Sequence, residues 1–164
     1  VKALALVLVS LLSLRAAADP IIGDLAPALD LPDLDGHVHA LPRKRVVIVD
    51  FGTTWCGPCH EALARLEPLA RELGADLQLI VIDVKESPEL VRAFFAEREQ
   101  TPALVVLDKD GAASTRWGRH LYPTTFIVDG AGVIRFINRG YGPRYGERIA
   151  ARARALLAAP SASK

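Results

Sequence analysis

The sequence predicts a single α/β domain, a central mixed sheet with helices on its faces, and three observations lead there. A strand–helix–strand run opens the patterned part of the chain. A hairpin followed by a helix closes it, and Gly, Pro or Asp clusters bound each apolar run. At 164 residues the chain suffices for one core and is short for two.

Lys2, the twelve mostly apolar residues Ala3–Leu14 and the small residues Ala16–Ala18 read as a secretory signal peptide over residues 1–18. An uncleaved N-terminal anchor is the alternative, although the run falls short of the roughly 20 residues a spanning helix needs. The domain proper is expected over 19–160, with a frayed tail at 161–164. Within it, Leu29, Leu31 and Leu34 face Val38 and Leu41 across the Asp35-Gly36 turn, a hairpin pattern. Val46–Phe51 is apolar except for Asp50 and reads as a central buried strand. Pro58 suits a first helical turn, and Glu61–Leu73 places Leu63, Leu66, Leu69, Ala70 and Leu73 on one face before Gly74 stops the helix.

Leu77–Val84 is the next strand, after which Ser87 and Pro88 mark the cap and first position of a helix over Glu89–Arg98. Leu104–Leu107 is a short strand ending in the Asp108–Gly111 turn, followed by a brief helix over Ala112–Trp117. Thr124–Val128 and Val133–Asn138, joined by Asp129–Gly132, form the closing hairpin. Arg144–Ala158 is the last helix, with Arg144, Arg148, Arg152 and Arg154 on a solvated face. The net charge is +1, and becomes −1 if Lys2 and Arg15 leave with the leader, so nothing predicts a nucleic-acid or anionic-surface partner.

Chemistry concentrates in Trp55-Cys56-Gly57-Pro58-Cys59-His60, which holds both cysteines of the chain. A strand, Cys-X-X-Cys and a helix in that order read as the redox site of a thioredoxin-like fold. A zinc knuckle would need two further ligands, and no other Cys or His pair has zinc spacing. Cys56 lies where the helix begins, so free N–H groups favour its thiolate and make it the attacking sulfur. Cys59, one turn inside, is the resolving thiol. Asp50, a carboxylate in an apolar strand, should have a raised pKa and exchange a proton with Cys59. His60 reads as a first-turn surface residue or as added positive charge near the thiolate. Pro123 precedes a strand, where a special turn is common.

Gly23–Pro27, the Asp33–Gly36 hairpin, Val46–Cys59 and Leu121–Asp129 together resemble the TlpA/ResA-like thioredoxin-fold oxidoreductases, which are exported bacterial proteins. The resemblance runs from about Gly23 to Leu157. It implies an N-terminal hairpin extension and a helix–strand insertion over roughly Pro88–Leu107. It also implies Cys56 as nucleophile, Cys59 as resolving thiol, Trp55 as a cover over the disulfide, and Pro123 as a cis-proline facing the cysteines beside the substrate segment. Tyr122 is bulkier than the usual neighbour of that proline and would narrow substrate choice. Many members carry Asn at the position of Asp50, so an acid there is closer to thioredoxin itself.

The leading expectation is an exported reductase of disulfides in partner proteins, probing thiol-bearing exported substrates and recharged by a membrane thiol donor. It would act as a monomer, with no cofactor beyond the Cys56–Cys59 disulfide. The resemblance implies apocytochrome c, copper-site assembly proteins and other exported thiols as partners. Three rivals use the same residues. An oxidase or isomerase would run the dithiol in the other direction. A thiol peroxidase would use the Thr53-X-X-Cys56 spacing, although the proline expected four residues before that Thr is replaced by Val49. A copper-binding protein would recruit Cys56, Cys59 and either His60 or His120. His120, like His37 and His39, otherwise reads as an exposed loop residue.

Overall fold

The computed structural model describes residues 18–98 and 104–159. The leader expected over 1–18 and the tail at 161–164 therefore lie outside the described residues, apart from Ala18.

Chain order runs β1 (Leu31–Pro32), β2 (Val38–His39), β3 (Val46–Gly52), α1 (Gly57–Leu73), β4 (Leu77–Val84), α2 (Pro88–Ala96), β5 (Leu104–Asp108), α3 (Ala112–Arg116), β6 (Thr124–Val128), β7 (Ile134–Arg139) and α4 (Tyr145–Ala158). The main sheet has the order β5-β4-β3-β6-β7. Strands β3, β4 and β5 run parallel, while β6 is antiparallel to β3 and to β7. This is the thioredoxin-like sheet, and the α2–β5 unit inserted between β4 and β6 supplies its outer parallel strand. All seven residues of β3 are buried, as a central strand covered on both faces requires.

Alternation along β3 divides its side chains between two cores. Val46 and Ile48 pack with Ala62, Leu63 and Leu66 of α1 and with Tyr145 and Ile149 of α4. Val47, Val49 and Phe51 pack on the opposite face with Leu29, Trp117 and Phe126. Among the described residues no long helix covers that second face. The N-terminal segment bridges Val133, just before β7, from Leu25, crosses with Leu29 buried, and bridges β5 at Asp33↔Val106. It therefore occupies both open edges of the sheet as well as filling one face.

The helix boundaries have local reasons. Helix α1 begins at Gly57 with Cys56 as its cap and Pro58 in the first turn, as expected, and it also carries Pro68 internally. Helix α4 starts at Tyr145, after Arg144 in a left-handed conformation (φ 60°). Its arginines do more than face water. Arg148 donates to Asn138 Oδ1, Arg152 to the Arg135 carbonyl, and Arg154 pairs with Glu72 of α1. The hairpin histidines are likewise engaged, His39 Nε2 lying 2.7 Å and His37 Nδ1 3.6 Å from Asp33 Oδ2. The His39 bond leads the effects that hold the Asp33 carboxyl down at about 2.

Candidate active site

Strand β3 delivers its C-terminal end to the start of α1, and the chain turns between them through Thr53, Thr54 and Trp55. Cys56 has extended backbone angles (φ −86°, ψ 98°), and its Sγ accepts the Cys59 N–H at 3.2 Å. The two sulfurs form a disulfide with Cα atoms 5.2 Å apart. Cys56 is 5% and Cys59 2% exposed. Gly52 is the reason Cys59 fits. A Cβ at that position would lie 3.3 Å from Cys59 Cβ and 3.4 Å from its Sγ, so a side chain would press directly on the inner sulfur.

Asp50 lies two residues before Gly52 on the same face of β3, and is 1% exposed. Its ladder partner on β6 is Thr125, whose hydroxyl donates to Asp50 Oδ1 at 2.7 Å. The Tyr145 hydroxyl of α4 lies 2.7 Å from the same Thr125 oxygen. Since Thr125 spends its single proton on Asp50, Tyr145 is the donor in that second bond. Burial pushes the Asp50 carboxyl up to about 7, with the Thr125 and Tyr145 bonds pulling the other way. The carboxyl thus belongs to a three-residue network toward α4 as well as to the floor beneath α1.

A second buried carboxyl was not anticipated. Asp83, the penultimate residue of β4, is the ladder partner of Gly52, is 4% exposed, and its Oδ1 has no hydrogen-bond partner among the described residues. Burial first, then the Glu86 carboxyl beside it, push Asp83 up to about 8. Glu86 also grips the turn before the cysteines, accepting the Thr54 N–H at 2.5 Å and its hydroxyl at 2.7 Å. From the other side His60 Nε2 donates to the Thr54 carbonyl at 2.7 Å, with its ring 4.9 Å from Phe94. His60 is therefore a brace for the turn and not simply a surface residue.

The outer wall is aromatic. Trp55 is 71% exposed and meets the Tyr122 ring edge-on at 5.9 Å. The Arg119 guanidinium lies over the Tyr122 ring, 4.4 Å from its centroid, so Tyr122 meets both a cation and an indole. The Tyr122–Pro123 peptide bond is cis. Leu121, 44% exposed, extends this wall as an apolar shoulder.

The structure brings Cys56, Cys59, Asp50, Trp55, Tyr122 and Pro123 around one turn of the chain, and adds Asp83, Glu86, His60, Thr54, Thr125, Tyr145 and Arg119. Asp83 was legible: it breaks an apolar strand as Asp50 does, and the same cost argument applies. Thr125, Tyr145 and Arg119 carried no such signal, since their partners are set by register and by the docking of α4. His120 Nε2 bonds Asp19 Oδ2 at 2.5 Å, so neither histidine of the copper reading directs its Nε2 to the sulfurs. Among the described residues no group of three or more His, Cys, Asp or Glu is arranged to hold a metal ion. The Thr53 hydroxyl is buried without a hydrogen-bond partner among the described residues.

A family profile described as Redoxin matches residues 21–153. The thiol-disulfide oxidoreductase ResA of Geobacillus kaustophilus is 32% identical over 124 residues, covering 73% of this chain and 70% of its own. A DsbE homologue of thiol:disulfide interchange proteins from Paracoccus denitrificans is 30% identical over 132 residues, covering 78% and 70%. Among solved structures, a Chlorobium tepidum protein assigned as thiol:disulfide interchange protein DsbE superposes with a TM-score of 0.75 at 27% identity, over 84% of this chain and 98% of that one. With a Cys-X-X-Cys disulfide at the start of α1 and a thioredoxin-like sheet behind it, the chain belongs to the Redoxin family as a thiol-disulfide oxidoreductase of the ResA and DsbE type.

Proposed function

We propose that this protein is an exported reductase of disulfides in partner proteins, with Cys56 attacking, Cys59 resolving and Asp50 exchanging the proton. The observation that carries the direction is the clustering of Asp50, Asp83 and Glu86 around the end of the strand pair that supports the disulfide. Two effects compete at Cys56. The helix start and the Cys59 N–H favour a thiolate by about 0.3–1 kcal/mol, or about 2 when partly buried. The buried, acid-lined floor opposes it, because burial and any ionised carboxylate nearby both disfavour a further negative charge. A shift of one pKa unit from that source, about 1.4 kcal/mol, is enough to cancel the helix effect. A dithiol whose reduced form gains little from an ionised sulfur is the better electron donor.

The steps balance. The Cys56 thiolate attacks a substrate disulfide, forming a mixed disulfide and releasing the first substrate sulfur, which takes a proton from water. Cys59 then gives its proton to the ionised Asp50 carboxylate and attacks the Cys56 sulfur. The Cys56–substrate bond breaks, and the second substrate sulfur leaves and is protonated. Two electrons have passed to the substrate, and the enzyme holds the Cys56–Cys59 disulfide. A thiol donor at the membrane would restore the dithiol, with no further cofactor and one copy of the chain per cycle. The leader-like segment over 1–18 and the resemblance to exported oxidoreductases support the location.

Trp55, Tyr122 and the backbone beside Pro123 would receive the substrate segment. Arg119 behind Tyr122 holds that aromatic wall in place, which favours an extended segment with a flat or apolar side chain next to its cysteine. Trapping tests the proposal: Cys59→Ser leaves the mixed disulfide on Cys56 unresolved. Capture of exported cysteine-bearing proteins is expected. Capture of none, with exchange of small disulfides intact, would contradict a protein substrate.

A further inference from the structure

Asp50 does not stand alone beside the inner sulfur. Gly52 marks the spot, because a Cβ there would touch Cys59 Sγ at 3.4 Å. Along β3, Asp50 is one pleat repeat from Gly52, about 7 Å. Across the ladder, Asp83 is the direct partner of Gly52, about 4.8 Å away, and in a parallel pair the two residues point to the same face. Asp83 thus stands nearer than Asp50 to Gly52, the backbone position against which Cys59 packs, and on the same face of the sheet. The two carboxyls differ in what they already hold. Asp50 is committed to Thr125 and Tyr145, whereas Asp83 Oδ1 is buried and has no partner among the described residues.

The surroundings of Asp83 give it an outlet. Glu86, in the turn after β4, lies within hydrogen-bonding reach of its carboxyl and is only partly buried. Asp50 of β3 shares its face of the sheet; Cys59 and His60 of α1 approach through Gly52 and Thr54; and the Tyr122 phenol, in the loop before β6, feels Asp83, Asp108 and Glu86. Asp108 of β5 is on the opposite face and is bonded to the N–H groups of Ala113 and Ser114. Lys85, next in sequence, packs its stem against Gly111. Beside the Glu86 carboxyl, Asp83 keeps its proton to a higher pH, because its own ionisation there costs more.

We propose that Asp83 is a second proton-exchanging residue of the site, relaying the Cys59 proton through Glu86 to solvent. The proposal rests on the reading of Cys59 as the resolving thiol. As Cys59 attacks Cys56, its proton passes to Asp83 Oδ1, and the proton that carboxyl already carries moves to Glu86 and on to water. The Cys59–Cys56 bond forms as the Cys56–substrate bond breaks, and the departing sulfur carries the electron pair. Asp50 then tunes the inner sulfur and receives its proton by a parallel route.

The reduced protein can be mixed rapidly with an aromatic disulfide whose thiol product absorbs visible light. The first release reports attack by Cys56, the second resolution by Cys59. Asp83→Asn is expected to slow the second release about tenfold, at the low end for general acid–base catalysis, and the first less than about twofold. Glu86→Gln removes the neighbouring negative charge, so the pH at which the second release accelerates should move down. Equal slowing of both releases, or a second release in Asp83→Asn that follows the wild-type pH profile, would overturn the relay. If Asp83→Asn does not fold, an unmoved profile in Glu86→Gln does the same. A wild-type protein that gives no second release would instead refute the resolving role of Cys59, a separate failure.

Discussion

The two faces of the sheet are equally closed to water but are built for different tasks. Behind β3, Val47, Val49 and Phe51 meet Trp117 and Phe126, with aromatic centroids 4.9–5.9 Å apart. On the α1 side the same strand begins with Val46 and Ile48 but ends with Asp50 and Gly52, and β4 ends with Asp83. The dry face anchors strand ends whose other face carries costly buried carboxyls. Stability and chemistry are thus separated across one strand, residue by residue.

Removing the reactive sulfur is the largest test of this division. Cys56→Ser should abolish exchange by at least about a thousandfold, as loss of a nucleophile does, and leave the unfolding of the reduced protein nearly unchanged. The opposite pattern belongs to the other face. Trp117→Ala should cost about 3–5 kcal/mol in denaturant unfolding, while the pH profile of exchange in the folded fraction stays where it was. Movement of that profile would show that the faces are coupled.

Asp50→Asn probes the cost of the chemical face. The folded carboxyl titrates near 7 and the unfolded one near 3.8, so the unfolded chain ionises first and stability falls between those pH values. The Asn variant, still able to accept from Thr125, should therefore be more stable than the parent above pH 7, by up to about 4 kcal/mol. The difference should vanish below about pH 4, as unfolding curves at both pH values would show, and the variant should resolve mixed disulfides more slowly. His60→Ala should have a smaller effect, about 1 kcal/mol for the lost bond to the Thr54 carbonyl, read as lower thermal stability with looser Trp55 fluorescence.

Much of this was readable in the chain. The apolar run of β3, the Cys-X-X-Cys at a helix start, Ser87-Pro88 and the Asp108–Gly111 and Asp129–Gly132 turns are local signals, and each element formed where they predicted it within a few residues. Asp50 stood out because a charge in an apolar strand needs a reason. What escaped depends on distance in sequence. Thr125 and Tyr145 become partners of Asp50 only through the antiparallel register of β6 and the docking of α4. Glu86 and His60 converge on Thr54 from 32 and 6 residues away. The covering role of the N-terminal segment was also hidden, since a buried Leu29 cannot be told from any other leucine before the fold is known.

The reducing direction is the centre of the account, and the equilibrium potential tests it most directly. Equilibrating the purified protein at pH 7 with graded ratios of reduced and oxidised glutathione, or of a stronger dithiol, gives the fraction of Cys56–Cys59 in the disulfide form. A potential as low as about −220 to −270 mV is predicted, the range of reducing dithiols. A value near about −120 mV, that of a strong oxidant, would contradict the account.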